Sequence, residues 1–275
     1  MYDKIVIPLD GSPLAETALP YAEEIAAKTS SDIILLSVLQ SEEAQEYQKH
    51  HSYAVKVVEA TKRRVEKYLE NSPGEAINVD TVTRAGNPAE GILDYVNKGA
   101  FNLIVMATHG RSGISRWAIG SVADKVVRAT IRQPLMLIRT KGSHPDIQQA
   151  ERRLKKALVP LDGSTGSEAV IPHIVNLQME PTLLQVITKN NHVSADPEAY
   201  LQHWCSRLEE KGVSSRYEVR TGTPADEIID LADELAMDMV AMSTHGRNAI
   251  GLWPLGSVAQ KVMLGGNLPL LLVRA

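Results

Sequence analysis

At 275 residues, with 44% hydrophobic and 23% charged residues, the chain has a globular composition and room for two ordinary domains. A net charge of −4 and an aromatic content of 4% argue against the basic surface and stacking platforms of a nucleic-acid binder. Cys205 is the only cysteine, which excludes an intramolecular disulfide and a cysteine metal cluster; no apolar run approaches the roughly 18 residues that span a bilayer, so no membrane partner is expected and the protein is read as cytoplasmic.

In chain order, KIVIPL (Lys4–Leu9) reads as a strand that leads through DGS (Asp10–Ser12) into a helical pattern, AETALPYAEEIAAKT (Ala15–Thr29). DIILLSVL (Asp32–Leu39) is the second strand. Residues Glu42–Asn71 are mostly polar, with Tyr53, Val57, Val58, Val65, Tyr68 and Leu69 largely at helical spacing. That pattern predicts a helix with one buried face, its early part mobile beside a binding cleft. His50 and His51 fall on that early part and read as solvated rather than metal-bound. AINVDTV (Ala76–Val82), FNLIVMAT (Phe101–Thr108) and PLMLIR (Pro134–Arg139) supply three more strands, and PAEGILDYVNKG (Pro88–Gly99) and GSVADKVVRA (Gly120–Ala129) two more helices. Runs apolar on both faces, alternating with amphipathic helices, indicate a parallel sheet covered on both sides.

The plan then repeats. KIVIPLDGS returns as KALVPLDGS (Lys156–Ser164), RAGNPAEGILD (Arg84–Asp94) as RTGTPADEIID (Arg220–Asp230), and QPLMLIR as LPLLLVR (Leu268–Arg274). Asp10 and Asp162 are 152 residues apart but Gly86 and Gly222 only 136, so the second copy is about 16 residues shorter. That loss is expected in the charged helical stretch after the second strand. TKGSHPDIQQAERR (Thr140–Arg153) has the Gly, Pro and polar residues of a connection. We expect two tandem doubly wound α/β domains, residues 1–141 and 154–275 with a 142–153 linker, each a five-stranded parallel sheet flanked by helices. Met237, Met239 and Met242 read as core, and Cys205 as ordinary packing.

One string is repeated with unusual fidelity. ATHGRSGISRWAIGS (Ala107–Ser121) follows the fourth strand, and STHGRNAIGLWPLGS (Ser243–Ser257) follows its counterpart, with nine residues between Gly110 and Gly120 and between Gly246 and Gly256. In open α/β sheets ligands bind beyond the carboxyl ends of the strands, where both loops lie. Gly110 and Gly120 allow close backbone approach or positive φ. Ser121 with Asp124, and Ser257 with Gln260, match a capping box. A helix N-terminus offers N–H groups and partial positive charge to a phosphate, and Arg111 and Arg247 add charge-assisted donors. Any α/β corner uses a glycine and a cap, but a turn does not require the whole spacing twice, so phosphate binding is the better reading. No Walker A string occurs, and the turn after the first strand lacks GxGxxG.

This arrangement resembles the universal stress protein family in its tandem form, whose nucleotide motif is Gly, two residues, Gly, nine residues and Gly-Ser or Gly-Thr. The resemblance covers the chain apart from the linker. It departs at the first glycine, which is Ala107 in one half and Ser243 in the other. If that position needs only a small side chain the change costs little; if it needs positive φ the cost is on the order of 1 kcal/mol. Pro254, and the missing counterpart of Gly113, leave the second site the less complete. The loop and the resemblance together place nucleotide contacts at Pro8, Asp10, Val38, Ala107, Gly110, Arg111, Gly113, Gly120, Ser121 and Val122. In the second half they fall at Asp162, Val186, Ser243, Gly246, Arg247, Gly256 and Ser257. Asp10 and Asp162 match the family's first-strand aspartate near the adenosine, and Val38 and Val186 its adenine-contacting valine.

The resemblance implies a non-catalytic, ATP-binding stress-response protein, with ADP or AMP as alternatives and Mg2+ or Mn2+ carried by the phosphates. It also implies that the two halves form an internal pseudo-dimer and that whole chains can form a homodimer. The sequence agrees by omission, since no Ser-His-Asp, His-Glu-x-x-His or paired-carboxylate constellation recurs with the glycine loops. Two alternatives stay open. One is a slow ATPase or nucleotidyl-transfer enzyme in which Asp10 or Asp162 holds Mg2+ and His109 polarises a phosphate. The other is an interaction protein whose sites have decayed. For His109 and His245 themselves, a loop-shaping hydrogen bond is the plainer role.

Overall fold

The computed structural model describes residues 2–40, 44–70, 76–99, 102–109, 119–130, 133–139, 154–188, 196–244 and 255–274. Two compact units, Met1–Arg152 and Arg153–Ala275, divide the chain. The predicted linker lies outside the described residues. Among those residues, no helix is long and apolar enough to cross a membrane.

The first unit runs β1 (Lys4–Pro8), α1 (Pro13–Glu16), α2 (Leu19–Thr29), β2 (Asp32–Leu39), α3 (Ala44–Glu70), β3 (Val79–Ala85), α4 (Pro88–Lys98), β4 (Leu103–Ala107), α5 (Ser121–Ala129) and β5 (Leu135–Ile138). Its strands are all parallel, in the order β3-β2-β1-β4-β5. All five residues of β4 and all four of β5 are buried, as expected of strands covered on both faces. β1 pairs with β2 on one side, Val6 opposite Ile34, and with β4 on the other, Val6 opposite Ile104. The chain order therefore reverses at β1, and the carboxyl ends of β1 and β4 flank the crevice that such a reversal opens.

The second unit repeats the plan with β6 (Lys156–Pro160), α6 (Thr165–Glu168), α7 (Ile171–Asn176), β7 (Glu180–Ile187), α8 (Pro197–Glu209), β8 (Arg216–Thr221), α9 (Pro224–Glu234), β9 (Met239–Ser243), α10 (Ser257–Gly265) and β10 (Leu270–Val273). Its parallel strands are ordered β8-β7-β6-β9-β10. Met237, Met239 and Met242 are core, as read. Cys205 is half-buried on α8.

Three boundaries differ from the sequence reading. The helix expected over Ala15–Thr29 is broken into α1 and α2, because Pro20 has no N–H to donate and its ring crowds the carbonyl of Glu16 four residues earlier. Pro172 breaks the second copy at the same place. The third strand starts at Val79 and continues through Arg84 and Ala85, since β2 templates it residue for residue from Ile33–Val79 to Leu39–Ala85. As an edge strand it is mostly half-buried, so its end carries no apolar signal. The shortening of the second copy is also spread more widely than expected: α8 has 13 residues against 27 in α3, and α7 has 6 against 11 in α2.

Within α3, Val57, Val58 and Val65 are buried as the spacing predicts, joined by Ala54 and Thr61. Tyr47 stands 50% exposed ahead of that face. The helix is fastened to α2 by a buried ion pair. Glu23 is 0% exposed, and its carboxylate accepts from Arg64 Nε at 2.8 Å and Arg64 Nη2 at 2.7 Å. Burial raises the Glu23 carboxyl pKa above its ordinary range even though the bonds and charge of Arg64 pull it down.

Candidate functional site

A cavity of about 330 Å³ opens in the first unit at the carboxyl ends of β1, β2 and β4, within the size range of small-ligand sites. Its wall takes Pro8, Leu9 and Asp10 from the end of β1 and Leu36, Val38 and Gln40 from β2 and the residue after it. Met106 to His109 come from β4 and the residues beyond, and Gly120 to Ala123 from the start of α5. Pro88 and Ile92, one turn apart on α4, close another side.

Asp10 is set by a turn that the sequence spells out as DGS. Gly11 has φ +80°, a conformation open to glycine, and it folds the chain so that Asp10 Oδ1 accepts from the Ser12 N–H at 2.9 Å and the Ser12 hydroxyl at 2.6 Å. Ser12 Oγ in turn caps α1 by accepting from the Ala15 N–H at 3.2 Å. The same turn recurs around Asp162, with Gly163 at φ +80° and Ser164 donating through both its N–H and its hydroxyl. Behind each turn a tyrosine from the following long helix holds a glutamate. Tyr53 donates to Glu16 at 2.8 Å and Tyr200 to Glu168 at 2.8 Å. Burial, then the bond to the carboxylate, raises both phenol pKa values above the ordinary range.

Gly120 decides the shape of the opposite wall. Its φ of −61° is open to any residue, so of its two expected uses the structure selects close approach. A Cβ there would lie 3.0 Å from the Thr108 carbonyl oxygen, the same oxygen that accepts the Gly120 N–H at 2.8 Å. The capping boxes are not formed. Gly120 itself occupies the cap position with extended dihedrals, which puts Ser121 at the first helical position, and no side chain among the described residues caps α5. Asp124 instead accepts from Arg128 one turn on, at 2.9 Å. In the second unit Gly256 likewise displaces Ser257 from the cap of α10. Ala107 and Ser243 end their strands without positive φ, so the missing first glycine of the motif carries no backbone strain.

Of the ten positions expected in the first half, Pro8, Asp10, Val38, Ala107, Gly120, Ser121 and Val122 line this one cavity. Gly110, Arg111 and Gly113 lie outside the described residues. Sequence reasoning missed Leu36, Pro88 and Ile92; Leu36 shares a strand face with Val38, a spacing that could have pointed to it. Gly91 has a part as well, since a Cβ on it would sit 2.8 Å from Val38 Cγ1, so α4 lies directly against the valine.

In the second unit Asp162, Val186, Ser243, Gly256 and Ser257 occupy the matching ends of β6, β7, β9 and α10. Gly246, Arg247, His245 and Pro254 lie outside the described residues. Ser243 is buried and its hydroxyl donates to the Ser167 carbonyl at 3.3 Å. The residue at the place of Gly91 is Glu227, whose carboxylate folds back so closely over Gly222 that a Cβ on that glycine could not fit beside it.

The model of the Universal stress protein family matches residues 1–139 and 153–274. A universal stress protein of Synechocystis sp. is 21% identical over 295 residues, which span 98% of this chain and 99% of the relative. One from Methanocaldococcus jannaschii is 29% identical over 132 residues, covering 46% of this chain and 77% of the relative. The crystal structure of a universal stress protein from Archaeoglobus fulgidus shares the fold across 98% of both chains, with a TM-score of 0.73 at 17% identity.

Proposed function

The chain belongs to the universal stress protein family, and from that premise we propose that its first unit binds an adenine nucleotide in the cavity between β1 and β4 and holds it without turning it over. ATP is the expected ligand, with ADP or AMP as alternatives. The observation that carries the reading is the geometry at Gly120. A glycine that needs no special φ is required there because backbone packs against backbone, and this brings the start of α5, whose N-terminal N–H groups no side chain among the described residues caps, into the cavity wall. Val38, Leu36 and Ile92 give the cavity an apolar part suited to a base. Mg2+ or Mn2+ would arrive with the phosphates, as Asp10 already commits Oδ1 to Ser12.

The second unit keeps the Gly256 cap and the Asp162 turn but places Glu227 where the first has Gly91, and we propose that it binds nucleotide more weakly. Mass spectrometry of the small molecules released from freshly purified, heat-denatured protein should find an adenine nucleotide, and calorimetry with Mg-ATP should find up to two sites, one stronger. An absence of heat with any adenine nucleotide would sink the proposal. Sustained hydrolysis well above that of a Gly120→Val control would instead favour the slow-ATPase alternative.

A further inference from the structure

His109 stands in the cavity wall and is 8% exposed. Its Nδ1 lies 3.0 Å from the Thr108 hydroxyl, and its Nε2 is buried with no hydrogen-bond partner among the described residues. Folded proteins leave few buried polar atoms unpaired, because the lost hydration is not recovered. Loop shaping accounts for Nδ1 but gives Nε2 nothing to do.

The surroundings of the ring are those of an anion site. The His109 Cα is 3.7 Å from where a Cβ would stand on Gly120, so the imidazole is rooted beside the start of α5. That helix is nine residues long, has no capping side chain among the described residues and contributes Ser121 and Val122 to the same wall. Its N-terminal N–H groups and the positive end of its dipole favour negative charge there. When the Thr108 hydroxyl donates to Nδ1, the neutral ring carries its proton on Nε2, which makes that atom a donor.

We propose that His109 is a ligand-contacting residue whose Nε2–H donates to a phosphate oxygen of the bound nucleotide, so that the ring and the α5 N-terminus together select phosphorylated over unphosphorylated nucleoside. The inference rests on the nucleotide reading of this cavity. It assigns the imidazole a binding role and no proton transfer.

The test compares Mg-ATP with adenosine by calorimetry on the full chain, as wild type, His109→Gln and His109→Phe. Glutamine keeps an N–H near the place of Nε2; phenylalanine keeps the ring volume and removes both nitrogens. Phenylalanine should weaken Mg-ATP roughly tenfold or more, as expected for a bond to a charged acceptor, while adenosine changes less than about twofold and glutamine restores most of the loss. An equal loss for both ligands, or no loss for Mg-ATP, overturns the inference and leaves the nucleotide reading standing. Wild-type protein that binds neither ligand overturns both. Nitrogen-15 spectra of the wild-type imidazoles supply a check free of folding effects: the His109 Nε2 signal should move with Mg-ATP but not with adenosine, and a signal that stays still refutes the contact.

Discussion

Replacing Gly120 with valine tests the carrying observation most directly, and its size follows from two distances. A Cβ at that position meets the Thr108 carbonyl oxygen at 3.0 Å, a few tenths of an ångström too close, and the same oxygen is drawn in by the Gly120 N–H at 2.8 Å. Both neighbours are backbone, so neither can swing aside as a side chain would. Overpacking of this kind costs roughly 1–3 kcal/mol, with alanine at the low end and valine above it. For a unit of this size each kcal/mol moves the melting temperature by roughly 3–4 °C, so the valine variant without ligand should melt roughly 5–10 °C lower. The wild type at a hundredfold excess of Mg-ATP over its Kd gains about 2.7 kcal/mol, a rise of roughly 8–10 °C. Valine should remove that rise, because relieving its clash with the Thr108 carbonyl displaces the α5 N-terminus from the cavity wall. Differential scanning calorimetry with and without Mg-ATP reads both effects. A valine variant that melts like the wild type and gains the same rise would show that Gly120 only turns the chain.

Four further outcomes are expected. Gly256→Val should reduce total Mg-ATP binding less than Gly120→Val does, as read from calorimetric stoichiometry. Gly91→Ala puts a methyl group 2.8 Å from Val38 Cγ1; it should weaken adenosine and ATP alike by roughly tenfold, because it displaces the valine and not the phosphate end. Arg64→Met leaves the buried Glu23 unpaired and should cost about 3 kcal/mol in urea unfolding at pH 7, near the low end for a broken buried pair because the Arg64 side chain is 36% exposed and water can enter. In that variant only burial and the Thr61 hydroxyl act on Glu23, so its folded pKa rises further above the unfolded value near 4.3; the deficit should therefore shrink as pH falls towards 5, and a pH-independent deficit would contradict the argument. Tyr53→Phe should cost roughly 1–2 kcal/mol and Tyr200→Phe less, since Trp204 Nε1 also donates to Glu168 at 3.2 Å.

The architecture was legible because the central strands of both copies are almost continuously apolar and the longer helices between them are amphipathic, whereas the edge strands β3 and β8 carry a weaker signal. The site was legible where chemistry forces a residue type. Gly120 is such a position, Asp10 was reached through the family resemblance alone, and the cavity brings the two together. What failed was local competition between neighbours. Gly-Ser before a helix offers two candidates for the cap; Ser-x-x-Asp favours the serine on paper, but the contact of Gly120 with Thr108 shifts the helix start by one residue. The break at Pro20 was masked by an amphipathic pattern that runs straight across it. Glu23 carries no mark of burial either, because its partner Arg64 is 41 residues away. No local pattern could pair them.

The tyrosine–glutamate tie exists in two editions within one polypeptide, and this makes the protein its own control experiment. The amides of Glu16 and Glu168 both bond to a serine carbonyl four residues back at 3.3 Å, and each glutamate is held by a tyrosine at 2.8 Å. The indole of Trp204 adds a second donor in one edition. Both report from the same tube, at one temperature, pH and salt, so a difference in their exchange rates reads what Trp204, together with the Ser167 hydroxyl that also bonds the Ser164 carbonyl, adds to the second edition.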